Sequence, residues 1–233
     1  MADELYSEKS TRYFALARTE IAPLLPDCTD RVFEIGCGAG ATISWLRSIR
    51  PVRYAAGIEL VPQAARQAEQ SLDAVIIGNI EVSELPFAAG SFDMILALDV
   101  LEHLVDPWAV VRRLHRLLAP NGVIIASIPN VSHYSVAMPL LIRGRWSYVD
   151  EGLLDRTHLR FFTQRTAVEL MSCSGLMVDK IDRTRLLPKW VTNWPDRIGG
   201  RNVRWYFAKM MKRIPACHFV DFQFLIRAKS SGS

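Results

Sequence analysis

Glu34 stands two residues ahead of three alternate glycines, Gly36, Gly38 and Gly40, with Cys37 between the first two. Residues 31–35 before them are mostly apolar and read as a strand, and 42–49 carry a helical pattern. A strand ending in such a turn leaves backbone N–H groups open at a helix N-terminus. Glycine there lets the backbone approach a bound group that a Cβ would repel. A dinucleotide fingerprint has the spacing G-x-G-x-x-G and aims the helix at a pyrophosphate. A carboxylate at Glu34 would repel a pyrophosphate and suits a ligand with an ammonium beside a sulfonium. Glu59 follows roughly 20 residues later, where an acidic side chain accepts bonds from ribose hydroxyls. A plain surface carboxylate after a strand is the competing reading. Asn79, with Ile80, offers an adenine partner and a ring-packing surface, or a simple turn. Asp99 and His103 close a fourth apolar run, where local capping competes with ligand contact.

These groups share one crevice only if the segments bearing them are parallel neighbours. Strand patterns recur at 31–35, 54–60, 74–78, 92–98 and 123–128. Helical patterns fall between them at 42–49, 62–72 and 107–118, and Asn121-Gly122 turns the chain before the fifth strand. Such β-α repetition predicts an α/β fold, a parallel sheet with helices on both faces. In open sheets of this kind ligands bind at the carboxyl ends of the strands. Residues 7–25 read as a helix with Phe14, Leu16, Ala17 and Ile21 on one face, within an N-terminal helical segment over 1–30. A helix over 163–173 starts at Thr163 and ends at Gly175. Strands at 176–182 and 221–228 complete a main domain over 31–229, and the tail at 230–233 reads as disordered.

Residues 32–178 resemble a class I S-adenosylmethionine-dependent methyltransferase. The resemblance rests on Phe33-Glu34-Ile35-Gly36-Cys37-Gly38-Ala39-Gly40, Gly57-Ile58-Glu59, Leu85-Pro86-Phe87 and Phe92-Asp93-Met94-Ile95. Val100-Leu101-Glu102-His103-Leu104 and Leu118-Ala119-Pro120-Asn121-Gly122 add to it. Within the class the chain is most similar to the branch that holds ubiquinone-type and sugar-modifying O-methyltransferases. The resemblance implies a Rossmann-like seven-stranded sheet, mostly parallel with an antiparallel last strand. It implies S-adenosyl-L-methionine as cofactor and S-adenosyl-L-homocysteine as product. Glu34 and the glycine turn, Cys37 included, would then meet the methionine moiety, Glu59 and Leu60 the ribose, and Asn79, Ile80 and Glu81 the adenine. Leu98, Asp99, Val100 and His103 would flank the cofactor from the fourth strand. One departure from the family pattern is Asn79, where Asp is frequent; an acceptor is kept and a charge is lost.

Chemistry toward a methyl acceptor falls to the segment after the fifth strand. The stretch 130–162 is long for a connection and rich in polar and aromatic groups. A hydroxyl acceptor needs a base. His158 is the first choice, with Asp155 to orient it, and His133 and His103 compete for the role. An amine or carboxylate acceptor needs no base, and the Asp155 segment also reads as a structural hinge. Tyr134, Arg145, Trp146 and Arg160 are the candidates for substrate binding.

Composition sets the outer bounds. The chain has 233 residues, half of them hydrophobic, with a net charge of +4. That length fits one domain with a sizeable core. No apolar run approaches the roughly 18 residues of a membrane span. Four scattered cysteines without a C-x-x-C pair argue against a zinc site or disulfide framework and fit a reducing, cytoplasmic setting. From residue 180 to 229 there are 12 Lys or Arg against three acids. This basic, tryptophan-bearing insert over 183–219 reads as a solvated helix packed on the core, a lid over the pocket, or a contact with anionic membrane. No RNA-binding signature is visible. The expected activity is O-methylation of a small molecule, a sugar, quinone precursor or lipid-linked glycan, by a monomer or homodimer. An RNA or protein methyltransferase, or a non-catalytic cofactor-binding subunit, stands as the alternative.

Overall fold

Strands that are apolar on both faces need cover on both sides. The computed structural model describes residues 14–27, 29–185 and 218–230. It contains seven strands: β1 (Arg31–Ile35), β2 (Tyr54–Glu59), β3 (Ala74–Ile77), β4 (Phe92–Leu98), β5 (Leu118–Pro129), β6 (Leu176–Arg185) and β7 (Asp221–Ser230). They form one sheet in the order β3-β2-β1-β4-β5-β7-β6. Neighbours from β3 to β5 pair in parallel. β7 runs antiparallel to both β5 and β6, so six strands share one direction. The mostly parallel, seven-stranded expectation holds.

Alternation along each strand builds two cores. Phe33, Ile35, Ile95, Ala97, Ile124 and Ala126 face one side. There α3 (Pro107–Leu117) and α5 (Gln164–Ser172) cover them with Val110, Val111, Leu114, Ala167 and Leu170. Val32, Met94, Leu96 and Ile125 face the other side, beneath Ile43 and Leu46 of α1 (Ala41–Ile49) and Ala68 of α2 (Pro62–Ala68). Helices thus lie on both faces, as the β-α repetition requires. The helix starts are coded locally. The Asp106 carboxylate accepts from the Ala109 N–H at 2.9 Å, one residue before Pro107 opens α3. Thr163 and Thr166 form a reciprocal capping box at α5.

Gly40, expected in the cofactor turn, caps α1 at φ +80 and faces the neighbouring helix. A Cβ there would lie 2.9 Å from Leu72 Cδ1 and 3.2 Å from Ala68 Cα. Gly40→Ala is therefore expected to destabilise the protein by about 2 kcal/mol, from left-handed strain and helix displacement. Chemical denaturation checks this; an unchanged midpoint would remove the packing argument.

Three expectations need correction. Residues 7–25 do not form one helix where described. Residues 16–18 are non-helical, Thr19–Leu24 is a 3-10 turn containing Pro23, and Leu16 is 67% exposed. Proline at that position removes an N–H donor and stops a longer helix. β5 begins at Leu118, before Asn121-Gly122, with a register shift between Phe92 and Met94 in its partner β4. Ser230 belongs to β7, and its hydroxyl meets His115 Nε2 at 3.1 Å. A further helix, α4 (Tyr134–Arg143), occupies the 130–162 stretch. Of the basic 183–219 insert, residues 186–217 lie outside the described residues, as do 231–233 and the start of the N-terminal segment.

Candidate active site

The carboxyl ends of β1, β2, β3 and β4 open into a cavity of about 560 Å³. That volume suits a nucleoside-sized ligand. Glu34, Gly36, Cys37 and Gly38 line it from β1 and the turn after it. Glu59 and Leu60 come from the end of β2; Asn79, Ile80 and Glu81 follow β3; Leu98, Asp99, Val100 and His103 close β4. Every residue expected at the cofactor therefore meets this one cavity, except Gly40.

The two β-strand glutamates differ in how they are held. Glu59 is locked: Oε2 accepts from the Gly38 N–H at 2.8 Å and Oε1 from the Val61 N–H at 2.9 Å. Burial raises its pKa, and those backbone donors pull the other way. Glu34 is buried at 2% exposure, and its Oε2 has no hydrogen-bond partner. Burial pushes its carboxyl up to about 8, against the Thr42 hydroxyl, which favours the ion. A buried carboxyl with an open oxygen on a cavity wall is a receptor for a cation. The Cys37 thiol, buried beside these two acids, is pushed far up and is inert. Asn79 Oδ1 accepts from the Glu81 N–H at 2.8 Å, which shapes the turn after β3.

The remaining wall comes from a segment that sequence did not place there. Phe14 O accepts the Ala39 N–H at 2.8 Å, across the glycine turn. Gly38, at φ +54, makes this approach possible, since a Cβ would stand 2.6 Å from that carbonyl oxygen. Arg18 then reaches over the sheet to Asp99, which also takes bonds from Ser127 Oγ and Gln223 Nε2. Asp99 itself is held at φ 55, a conformation Asp tolerates better than most residues. Gln223, a polar residue between Phe222 and Phe224 in β7, was the visible signal for this second wall.

The histidines sort differently. His103 lines the cavity, whereas His158 stands behind it, with 4.7 Å between ring centroids. The Glu102 carbonyl fixes this arrangement by accepting the Leu159 and Arg160 N–H groups at 2.9 Å. His103 Nδ1 meets the Thr157 carbonyl at 3.1 Å and His158 Nδ1 meets that of Leu153 at 3.2 Å. A carbonyl only accepts, so both Nδ1 atoms carry hydrogen. Burial, together with His158, lowers the His103 pKa to about 4. Glu102 is 1% exposed, neither carboxyl oxygen has a hydrogen-bond partner, Oε1 lies 3.9 Å from His158 Nε2, and burial raises its pKa well above normal. Among the described residues, Glu102, His103 and His158 have metal-ligand spacing, with ligand atoms within 4.8 Å of one another. The cysteine pattern, which argued against zinc, carried no information about this set.

The other expected residues lie off the cavity. Asp155 Oδ1 accepts from the Thr157 N–H at 2.9 Å and its hydroxyl at 2.7 Å, closing a turn. His133 caps α4, its Nδ1 2.8 Å from Ser135 Oγ, and packs on Tyr134. Arg145 Nε binds Ser147 Oγ at 2.8 Å, and Trp146 packs edge-on against Phe161. Arg160 reaches the Val105 carbonyl at the cavity rim and covers Trp108.

This sheet order, with its antiparallel seventh strand and a ligand-sized cavity over the strand ends, defines the Rossmann-like methyltransferase architecture. A family model described as "Methyltransferase domain" matches residues 6–181, and the chain belongs to that family. The ubiquinone biosynthesis O-methyltransferase of Cereibacter sphaeroides (strain KD131) is 30% identical over 157 residues, 66% of this chain and 62% of that protein. The match thus spans somewhat under two thirds of that relative's length. The 27-O-demethylrifamycin SV methyltransferase of Amycolatopsis mediterranei is 31% identical over 109 residues, 44% of this chain and 40% of that one. An S-adenosylmethionine-dependent methyltransferase from Archaeoglobus fulgidus superposes with a TM-score of 0.65 at 15% identity, covering 94% of each chain. The [4+2]-cyclase SpnF superposes at 0.59 and 16% identity, over 99% of this chain and 81% of that one. The fold is common to all of these, and function must be argued from the site.

Proposed function

We propose that this protein transfers a methyl group from S-adenosylmethionine to an oxygen of a small-molecule acceptor. The observation that carries the reading is the pair of glutamates at neighbouring strand ends. Glu34 offers an open buried oxygen to a cation, and Glu59 is held by two backbone donors with lone pairs to spare for a diol. The cofactor supplies an electrophilic methyl on a sulfonium. The protein's part is alignment and exclusion of water. Glu34 would hold the ammonium, Glu59 the ribose, and the loop Asn79–Ile80 the adenine. Arg18, Gln223 and Asp99 close the far wall and fix the direction from which an acceptor arrives.

His103, rather than His158, is the imidazole that would meet the acceptor, because it alone of the pair lines the cavity. It is neutral at physiological pH, and the Thr157 carbonyl fixes the hydrogen on its Nδ1. Relatives named as a ubiquinone biosynthesis O-methyltransferase and a 27-O-demethylrifamycin SV methyltransferase favour oxygen as the methylated atom. Titration calorimetry with S-adenosylmethionine, S-adenosylhomocysteine and NADH tests the cofactor class. Binding of both adenosyl ligands and not NADH is expected; the reverse pattern, or no adenosyl binding, would discard the reading. With the cofactor class established, release of S-adenosylhomocysteine in the presence of phenolic, sugar and amine acceptors tests the chemistry. Oxygen acceptors should turn over and His103→Ala should slow them.

A further inference from the structure

A surface helix of a globular protein normally turns an apolar stripe to the core. α4 does not. Of its ten residues Val136 alone is buried. Met138, Leu140, Leu141 and Ile142 are 42, 42, 76 and 68% exposed. Met138, Leu141 and Ile142 fall at i, i+3 and i+4 and share a face. Gly144, at φ 58, ends the helix between two exposed arginines, Arg143 and Arg145. Trp146 follows, and Tyr148 and Val149 are again 49 and 45% exposed. From Tyr134 to Val149 the chain has no acidic residue. The result is an apolar tip flanked by Arg143 and Arg145, ahead of the exposed acids Asp150 and Glu151, on an element that springs from the carboxyl end of β5, the same edge of the sheet as the cavity.

Charge decides what covers such a tip. A two-fold contact between copies uses the same patch on both partners, so it would set Arg143 and Arg145 against their own counterparts. Residues 186–217 of this chain carry seven Lys or Arg and one acid, Asp196, and would meet the tip with like charge. A bilayer surface with anionic lipid satisfies both features. Aliphatic side chains enter the headgroup and acyl boundary while arginines remain at the phosphates. We propose that the α4 tip docks this protein peripherally on an anionic bilayer, with Leu141 and Ile142 as the inserted residues and Arg143 and Arg145 at the lipid phosphates. Among the described residues no helix is long and apolar enough to cross a membrane, so attachment is at the surface. The inference stands apart from the acceptor reading, because docking requires neither cofactor nor acceptor.

The test is sedimentation of the full chain with vesicles of phosphatidylcholine, and with vesicles in which part of that lipid is phosphatidylglycerol. Binding is expected to the anionic vesicles and to weaken with salt. Leu141→Asp with Ile142→Asp should reduce partitioning at least about tenfold, and Arg143→Glu about fivefold or more. S-adenosylmethionine affinity of each variant serves as the folding control, since these residues lie off the cavity. Absence of binding to anionic vesicles would overturn the proposal. So would binding that survives both substitutions, which would move the contact elsewhere in the chain. A loss of dimer in light scattering on Leu141→Asp, with vesicle binding unchanged, would assign the tip to a second copy instead.

Discussion

Glu59→Ala is expected to weaken S-adenosylmethionine binding by about two to three orders of magnitude, from two lost charge-assisted hydrogen bonds. The expectation follows from how the carboxylate is held. Each oxygen already accepts one backbone N–H, from Gly38 and Val61, so the group cannot rotate away from the cavity. Each oxygen keeps a second lone pair, and two acceptors a carboxylate's width apart match the two hydroxyls of a ribose. The alanine variant loses those acceptors and also frees the Gly38 N–H, so the glycine turn loosens at the place where Phe14 crosses it. Two readouts separate the effects. Glu59→Gln keeps one acceptor oxygen and the shape; it should lie between wild type and alanine in calorimetry. Thermal unfolding of the ligand-free proteins reports the turn alone. Affinity unchanged in Glu59→Ala would exclude Glu59 from the ribose and reopen the orientation of any ligand in the cavity.

Much of this site was legible along one dimension because buried parallel strands end abruptly. An apolar run that stops at Glu34, Glu59, Asn79 or Asp99 marks a strand's carboxyl end, and the fold places all such ends on one edge. The cavity wall from Phe14 to Arg18 was not legible, because the Phe14 carbonyl contact to Ala39 and the Arg18 reach to Asp99 are long-range bonds that override a helical pattern. Gln223 stands out as a polar residue between two phenylalanines, but its place at the cavity does not: the position of β7 between β5 and β6 depends on an antiparallel pairing that local pattern does not register. His158 shows the limit of spacing arguments. It lies 55 residues from His103 in sequence. The bonds from the Leu159 and Arg160 N–H groups to the Glu102 carbonyl bring the two rings together and leave His103 in front. Tyr134, Arg145 and Trp146 were chosen for chemical type, and type alone does not reveal that α4 carries the chain away from the cavity.

Binding of S-adenosylmethionine at pH 7 is expected to release close to one proton, and Glu34→Gln to abolish that release. In the ligand-free protein burial holds the Glu34 carboxyl near 8, so at pH 7 about nine molecules in ten carry its proton. An ammonium or sulfonium beside Oε2 favours the ionised form and drives the proton off. Calorimetry in buffers of different ionisation enthalpy measures the number directly. Affinity should rise with pH toward about 8, close to tenfold per unit at the steepest, and fall above it, where the carboxyl is ionised unaided and the ligand's own amine loses its charge. The stability of the free protein runs the other way. A carboxyl whose folded-state pKa is raised contributes stability that is complete below its ordinary value of 4.5 and is lost as pH rises through about 8. The ligand-free protein should therefore lose stability from about pH 5 to pH 8, and Glu34→Gln should lessen that slope, leaving the part due to the likewise raised Glu102 carboxyl, while losing ligand affinity. Opposite slopes for binding and stability, both lessened by one substitution, distinguish a carboxyl poised for a cation from one that is merely buried. Binding without proton release would mean that the ligand's charge lies elsewhere in the cavity.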